Sequence, residues 1–201
     1  MANKTPTKIT GNTTLTYSPI TLQQSPSCSP KNLTGLPRVA KDIAADVYNS
    51  IQKWNDSHIQ GASVVKQIIN LKCNNKERYP NGLEELINEL DEVVHRLSLH
   101  GSSISFLSNQ ISSLSRLHKE QIPLFISLTA LELSNLVDNI AKAYKSELMV
   151  KRYILENIGH SRNENEAMFH GACWVYQQYI TNKINLQLEV LLTETGHRQI
   201  Q

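Results

Sequence analysis

The sequence predicts an all-α protein, an elongated bundle of about four long antiparallel helices behind a disordered N-terminal tail. Three observations lead there. First, one apolar register runs unbroken from Leu83 through Leu86, Leu90, Val93, Leu97, His100, Ile104, Leu107 and Ile111 to Leu114. Its steps alternate three and four residues, the mark of a long helix whose narrow seam another helix buries. Second, no proline interrupts the chain between Pro80 and Pro123, whereas five of the seven prolines fall in residues 1–37. Third, no segment carries the two-residue alternation of a half-buried strand.

Residues 1–37 read as the tail. They are rich in Ser, Thr and Pro, contain Lys4, Lys8 and Lys31, and hold no acidic residue. Such a segment buries too little apolar surface to offset its ordering entropy. Thr5, Ser18, Ser25 and Ser29 each precede a proline and are candidate sites for proline-directed kinases. Phosphorylation there would add roughly −2 charge per site to a basic segment.

Helix one is expected over 38–73, starting behind Pro37, with the seam Ala40, Ala44, Val47, Ile51, Trp54, His58, Gly61, Val65 and Ile68. Gly61 predicts a kink or short break near His58, because a helical glycine costs about 1 kcal/mol relative to alanine. Helix two is expected over 82–119, capped by Asn81 with Glu84, and about 57 Å long at 1.5 Å per residue. Its second half carries a serine-rich face. Helix three is expected over 129–158. Thr129 and Glu132 form a capping box, Gly159 offers a left-handed cap, and an apolar arc wide enough for two neighbours includes Leu133, Val137, Ile140 and Tyr144. The lead-in Leu124-Phe125-Ile126 tucks against the bundle. Helix four is expected over 163–195, capped by Ser161 with Glu164, and Gly196 suits its end. Its inward stripe would be Met168, Ala172, Val175, Tyr179, Leu186 and Val190, widened by Phe169, Tyr176, Leu188 and Leu191.

Composition narrows the function. Net charge is +2, too small for a bulk electrostatic nucleic-acid binder. Cys28, Cys73 and Cys173 have no metal or redox spacing and fit a reducing compartment. No signal peptide and no membrane span is expected, so the glycosylation-like triplets at Asn12, Asn32 and Asn55 read as chance. No phosphate loop, nucleophile elbow or zinc-protease pair occurs. His170 and Cys173, one turn apart, are two metal-ligand types without a further pair. The chain is therefore read as no enzyme, with no cofactor, metal or catalytic residue assigned. Trp54 and Trp174 read first as core anchors. The acidic run Glu84, Glu85, Glu89, Asp91 and Glu92 reads as a solvated face, with a docking site for a basic partner as the alternative.

Two blocks carry a resemblance. One runs Val39-Ala40-Lys41-Asp42-Ile43-Ala44-Ala45-Asp46, through Ile51-Gln52-Lys53-Trp54, to Ile68-Ile69-Asn70-Leu71-Lys72. The other is Leu191-Leu192-Thr193-Glu194-Thr195-Gly196-His197-Arg198. Tyr144-Lys145-Ser146-Glu147-Leu148 and Lys151-Arg152 add to them. Over roughly 38–73 and 124–201 the chain resembles the cyclin-dependent kinase 2-interacting protein (CINP) family. The resemblance implies a helical adaptor linked to cyclin-dependent and Cdc7-type kinases and to the ATR-interacting protein. It also implies a subunit of an AAA-type ATPase assembly acting in genome maintenance and large-ribosomal-subunit maturation. The implied location is nuclear, with room for a cytoplasmic pool.

The seams of helices one and two look longer than helices three and four can cover, so a second small helical subunit is expected to complete the bundle. The expected partner interface comprises Trp54, Leu90, Leu97, His100, Ile104 and Leu107, with Glu194, His197 and Arg198 at the C-terminal end. His and Arg there also suit the negative end of a helix dipole. The alternative reading is a self-assembling coiled-coil tether in trafficking or chromosome segregation.

Overall fold

Long apolar stripes without internal proline fold here into helices alone. The structure is a computed structural model that describes residues 34–75, 77–118 and 122–199. The candidate phosphosites Thr5, Ser18, Ser25 and Ser29, and Cys28, lie outside the described residues. Five helices follow in order: α1 (Leu36–Asn74), α2 (Leu83–Leu117), α3 (Ala130–Ile158), α4 (Glu164–Val175) and α5 (Asn182–Glu194). Among the described residues there is no strand.

Cross-contacts set the directions. Gly101 of α2 lies against Trp54 of α1, and Arg96 of α2 donates to Gln60 of α1 at 3.1 Å, so α1 and α2 are antiparallel. Arg152 of α3 donates to Ser98 of α2 at 2.9 Å, and Gly159 packs on Ile87, so α3 reverses again. Gly171 of α4 meets Ile69, Trp174 meets Gly61, and His197 after α5 meets the Lys41 carbonyl at 2.9 Å. Together α4 and α5 therefore run back along α1 as one interrupted fourth helix.

The interruption corrects the expectation of a single helix over 163–195. In a continuous helix the Trp174 carbonyl would accept from residue 178, and Tyr179 N–H would donate to Val175. Two side chains of α3 take those places. Lys151 Nζ donates to the Trp174 carbonyl, and Tyr179 N–H donates to Glu147 Oε2 at 3.1 Å. Lys151 and Glu147 pair with each other at 3.0 Å, both side chains fully buried. The Lys151 ammonium also lies 4.9 Å from the Trp174 ring centroid. Burial pushes the Lys151 pKa down, and the Glu147 carboxylate opposes that shift.

No break occurs near His58. Here α1 runs unbroken through Gly61, and the glycine answers a packing need. A Cβ on Gly61 would sit inside the Trp174 ring, with Cε2 at 2.9 Å and Val93 Cγ1 at 3.0 Å. Trp174 is fully buried, donates from Nε1 to the His58 carbonyl at 3.1 Å, and stacks on the His58 ring. Trp54 fills the opposite layer. It packs edge-on to Tyr144 at 5.2 Å and donates to Gln177 at 3.0 Å. Gly101 faces it, with Trp54 Cζ3 3.6 Å from where a Cβ would stand, an ordinary contact distance.

Other local expectations change in detail. Gly82, in the left-handed region at φ 87, caps α2 without a side-chain bond, so Asn81 and Glu84 form no box. Asn163 caps α4, accepting from Glu166 N–H, in place of Ser161 with Glu164. Thr129 and Glu132 form a complete box. Gly159 is right-handed, whereas Gly196 has φ 71 and closes α5, with His197 N–H donating to the Leu192 carbonyl at 2.8 Å.

Three outcomes follow. Gly61→Ala should destabilise the protein by about 2 kcal/mol, a typical penalty for overpacking, while Gly101→Ala should be neutral or stabilising by up to about 1 kcal/mol through helix propensity; urea denaturation separates them. Lys151→Met should lower stability by about 3–5 kcal/mol, because it strands a buried carboxylate. Glu147→Leu with Lys151→Met should recover only part of that loss, because the Trp174 carbonyl and Tyr179 N–H stay unpaired; a double-mutant cycle reads the difference. Burial, with a smaller contribution from Lys151, lowers the His58 pKa from 6.5 to about 4. The unfolded chain therefore binds the extra proton first, and stability should fall as the pH drops from about 6.5 to about 4. His58→Gln should flatten that slope in denaturation measured at several pH values.

Candidate interaction surface

The predicted interface residues are mostly core. Trp54, Leu90, Leu97 and Ile104 are fully buried, and Leu107 nearly so, all against other helices of the same chain. These seams are closed by the chain itself, because α4 and α5 together cover the length of α1 that the apolar pattern alone leaves open. His100 is half-buried beside the seam. Gly101 occupies the inward position, where a Cβ would stand in ordinary contact with Trp54 Cζ3 at 3.6 Å. Burial lowers the His100 pKa, with Lys53 and Arg96 adding to the shift and Asp56 opposing it.

The C-terminal block is a clasp within the fold. Glu194 is buried and accepts from the N–H groups of Ile126, Ser127 and Leu128 and from the Ser127 hydroxyl. Burial pushes its pKa up, but those four hydrogen bonds outweigh burial and hold the carboxyl below its ordinary value. This fixes the link before α3, where Leu124 and Phe125 pack on the core while Ile126 stays exposed. His197 ties the chain to the start of α1, and Arg198 pairs with Glu189. Glu194 and His197 are thus spent on internal contacts, and half-buried Arg198 on a neighbour from α5.

The surface that the sequence pattern misses lies on the other side of α4. Much of the stripe expected to face inward is turned out: Met168, Phe169, Val175, Tyr176 and Leu186 are more than half exposed and Tyr179 nearly half, whereas Leu188 and Leu191 of α5 are buried as expected. Ala167, His170, Gly171 and Trp174 face the core instead. Trp174 lies over Gly61 of α1, and a Cβ on Gly171 would meet Ile69 Cδ1 and Val65 Cγ1, the latter at 3.7 Å, so this side of α4 lies close on α1. The spacing of Ala167 and Gly171, four residues apart, was the available signal.

Against this outward face α3 sets Met149 and Tyr153, 67% and 57% exposed. Between α3 and α4 lies a groove of about 400 Å³ lined by Met149, Val150, Tyr153, Phe169, Cys173 and Tyr179, among others. His170, 4% exposed, borders it, its ring 6.1 Å from those of Tyr153 and Phe169. Burial lowers the His170 pKa, with Glu166 opposing, so the imidazole is neutral at pH 7. A cluster of large exposed apolar side chains of this kind is a surface suited to binding another molecule. Its chemistry is that of contact: area from Met and aromatic rings, with no charged group lining the groove. Among the described residues no three His, Cys, Asp or Glu side chains are grouped to hold a metal ion, and His170 and Cys173 gain no third ligand. No helix among them is long and apolar enough to cross a membrane.

No family model matches the chain. Curated relatives do. The chain is 28% identical over 192 residues to the cyclin-dependent kinase 2-interacting protein of Mus musculus, covering 81% of this chain and 91% of the relative. It is 26% identical to that of Xenopus laevis, over 84% and 93% of the two chains. It is 25% identical to that of Homo sapiens, over 81% and 91%. These likenesses run nearly the length of each relative and, with the two sequence blocks placed on α1 and at the end of α5, they support membership of the cyclin-dependent kinase 2-interacting protein family.

Proposed function

We propose that the chain is a non-enzymatic helical adaptor whose α3–α4 face binds a cyclin-dependent kinase. The observation that carries this is the exposure of Met149, Tyr153, Phe169 and Tyr179 around one groove, on a bundle whose own seams are closed. Aromatic and Met side chains are enriched at the centre of protein contacts, where a few anchors carry most of the binding energy. The names of the relatives supply the partner class. Thr5, Ser18, Ser25 and Ser29 would then be sites that a docked proline-directed kinase modifies, within a tail ahead of α1.

The resemblance supports a wider set of partners. In this reading the adaptor also meets Cdc7-type kinases and the ATR-interacting protein. It serves as a subunit of an AAA-type ATPase assembly in genome maintenance and large-ribosomal-subunit maturation, in the nucleus with a cytoplasmic pool. A second small helical subunit would pack on the outer face of the bundle, because α4 and α5 already close its interior. The closed seams also count against the coiled-coil tether, which would need them free.

Met149→Ser with Phe169→Ser alters two exposed side chains and should leave the helical circular dichroism unchanged. Loss of two contact anchors should weaken kinase binding about tenfold or more, read as kinase recovered with the tagged chain at native expression. Full recovery by the folded variant would remove the groove from the proposal. Failure of the unaltered chain to recover any cyclin-dependent kinase would remove the partner.

A further inference from the structure

A second depression lies where the α1–α2 link meets the α3–α4 link, away from the groove described above. Its cavity is about 730 Å³. Buried Leu83 and half-buried Ile87 and Leu155 form its apolar base, and exposed Glu84, Glu85, Asp91 and Glu156 form its rim. No lysine or arginine lines it. None of the four carboxylates joins an ion pair among the described residues. The depression continues along the α2–α3 line, sharing Asp91, Leu155 and Glu156 with the next hollow and adding Glu92, until Arg96 and Arg152 end the acidic stretch.

The walls are tied in place. Tyr79 Oη and His160 Nδ1 bond at 3.2 Å, joining the two links. Lys72 Nζ donates to the carbonyls of Gly159 at 2.7 Å and Arg78 at 3.1 Å. A concavity held this way binds without first being ordered, which favours affinity.

The geometry points to a docking site for a cationic amphipathic segment of a partner protein. Its apolar side chains rest on Ile87 and Leu155, and its lysines or arginines stand over Glu84, Glu85, Asp91 and Glu156. Charge complementarity selects this occupant. A neutral apolar partner would desolvate four carboxylates without compensation, and an acidic one would be repelled. The site is independent of the kinase-binding face, so either assignment can fail alone.

The test uses the full chain and two synthetic helix-forming peptides of equal charge, one of Lys and Leu, the other with Ser replacing Leu. Fluorescence anisotropy should show binding of the Lys/Leu peptide, weakening as salt rises from about 50 to about 300 mM through charge screening. Glu84→Gln/Glu85→Gln/Asp91→Asn/Glu156→Gln should weaken it about tenfold or more, the combined effect of several rim charges. All four side chains are exposed, so circular dichroism should confirm an intact fold; Leu155→Ser tests the apolar base separately and should also weaken binding. Met149→Ser/Phe169→Ser should bind as the unaltered chain does. Equal binding of the Lys/Ser peptide, undiminished affinity in both rim and base variants, or no binding of the Lys/Leu peptide would each overturn the proposal.

Discussion

A buried lysine–glutamate pair on α3 decides the shape of everything that follows it. Lys151 and Glu147 are one helical turn apart, fully enclosed, and placed where the fourth helix breaks. An isolated buried charge is strongly unfavourable, and even a paired one is weak evidence of stability. Here the pair also serves the backbone, since the ammonium and the carboxylate replace the hydrogen-bond partners that Trp174 and Tyr179 give up. Without such substitutes the break would leave two polar groups unpaired. The break in turn frees Gln177 to cap the Trp54 ring nitrogen and lets α5 reach the start of α1.

Close approach is the second theme, and it links packing to surface. Each tryptophan packs over a glycine on a facing helix, Gly101 for Trp54 and Gly61 for Trp174, but only at Gly61 would a Cβ run into the ring. Gly171 brings one turn of α4 close to Ile69 and Val65, while Trp174 on the same face fills the space over Gly61. The large side chains on the opposite face, Met168, Phe169 and Val175, are left exposed beside α3.

The C-terminal block connects these elements. Glu194 gathers three backbone N–H groups and a hydroxyl of the link before α3, and His197 reaches the first turns of α1. A carboxylate so fully used holds two distant stretches of chain together. Its specificity as a sequence string reflects this internal role, which a capped helix end alone would not require. In the proposed function the partner-facing surface is the α3–α4 groove.

The amino-acid sequence by itself determined the helical class, the stripes of α1, α2 and α3, the capping box at Thr129 and the placement of both tryptophans in the core. Those follow from local periodicity and capping chemistry, which act within a few residues. Tertiary structure alone decided which side of α4 faces in, because two apolar stripes competed and the one carrying Trp174 meets Gly61 and His58 of α1 only in the fold. It also decided that Gly61 sits in a straight helix and that Glu147 and Lys151 are buried. A ring, a glycine and an ion pair separated by tens to more than a hundred residues meet only in the fold, so no local pattern could announce them.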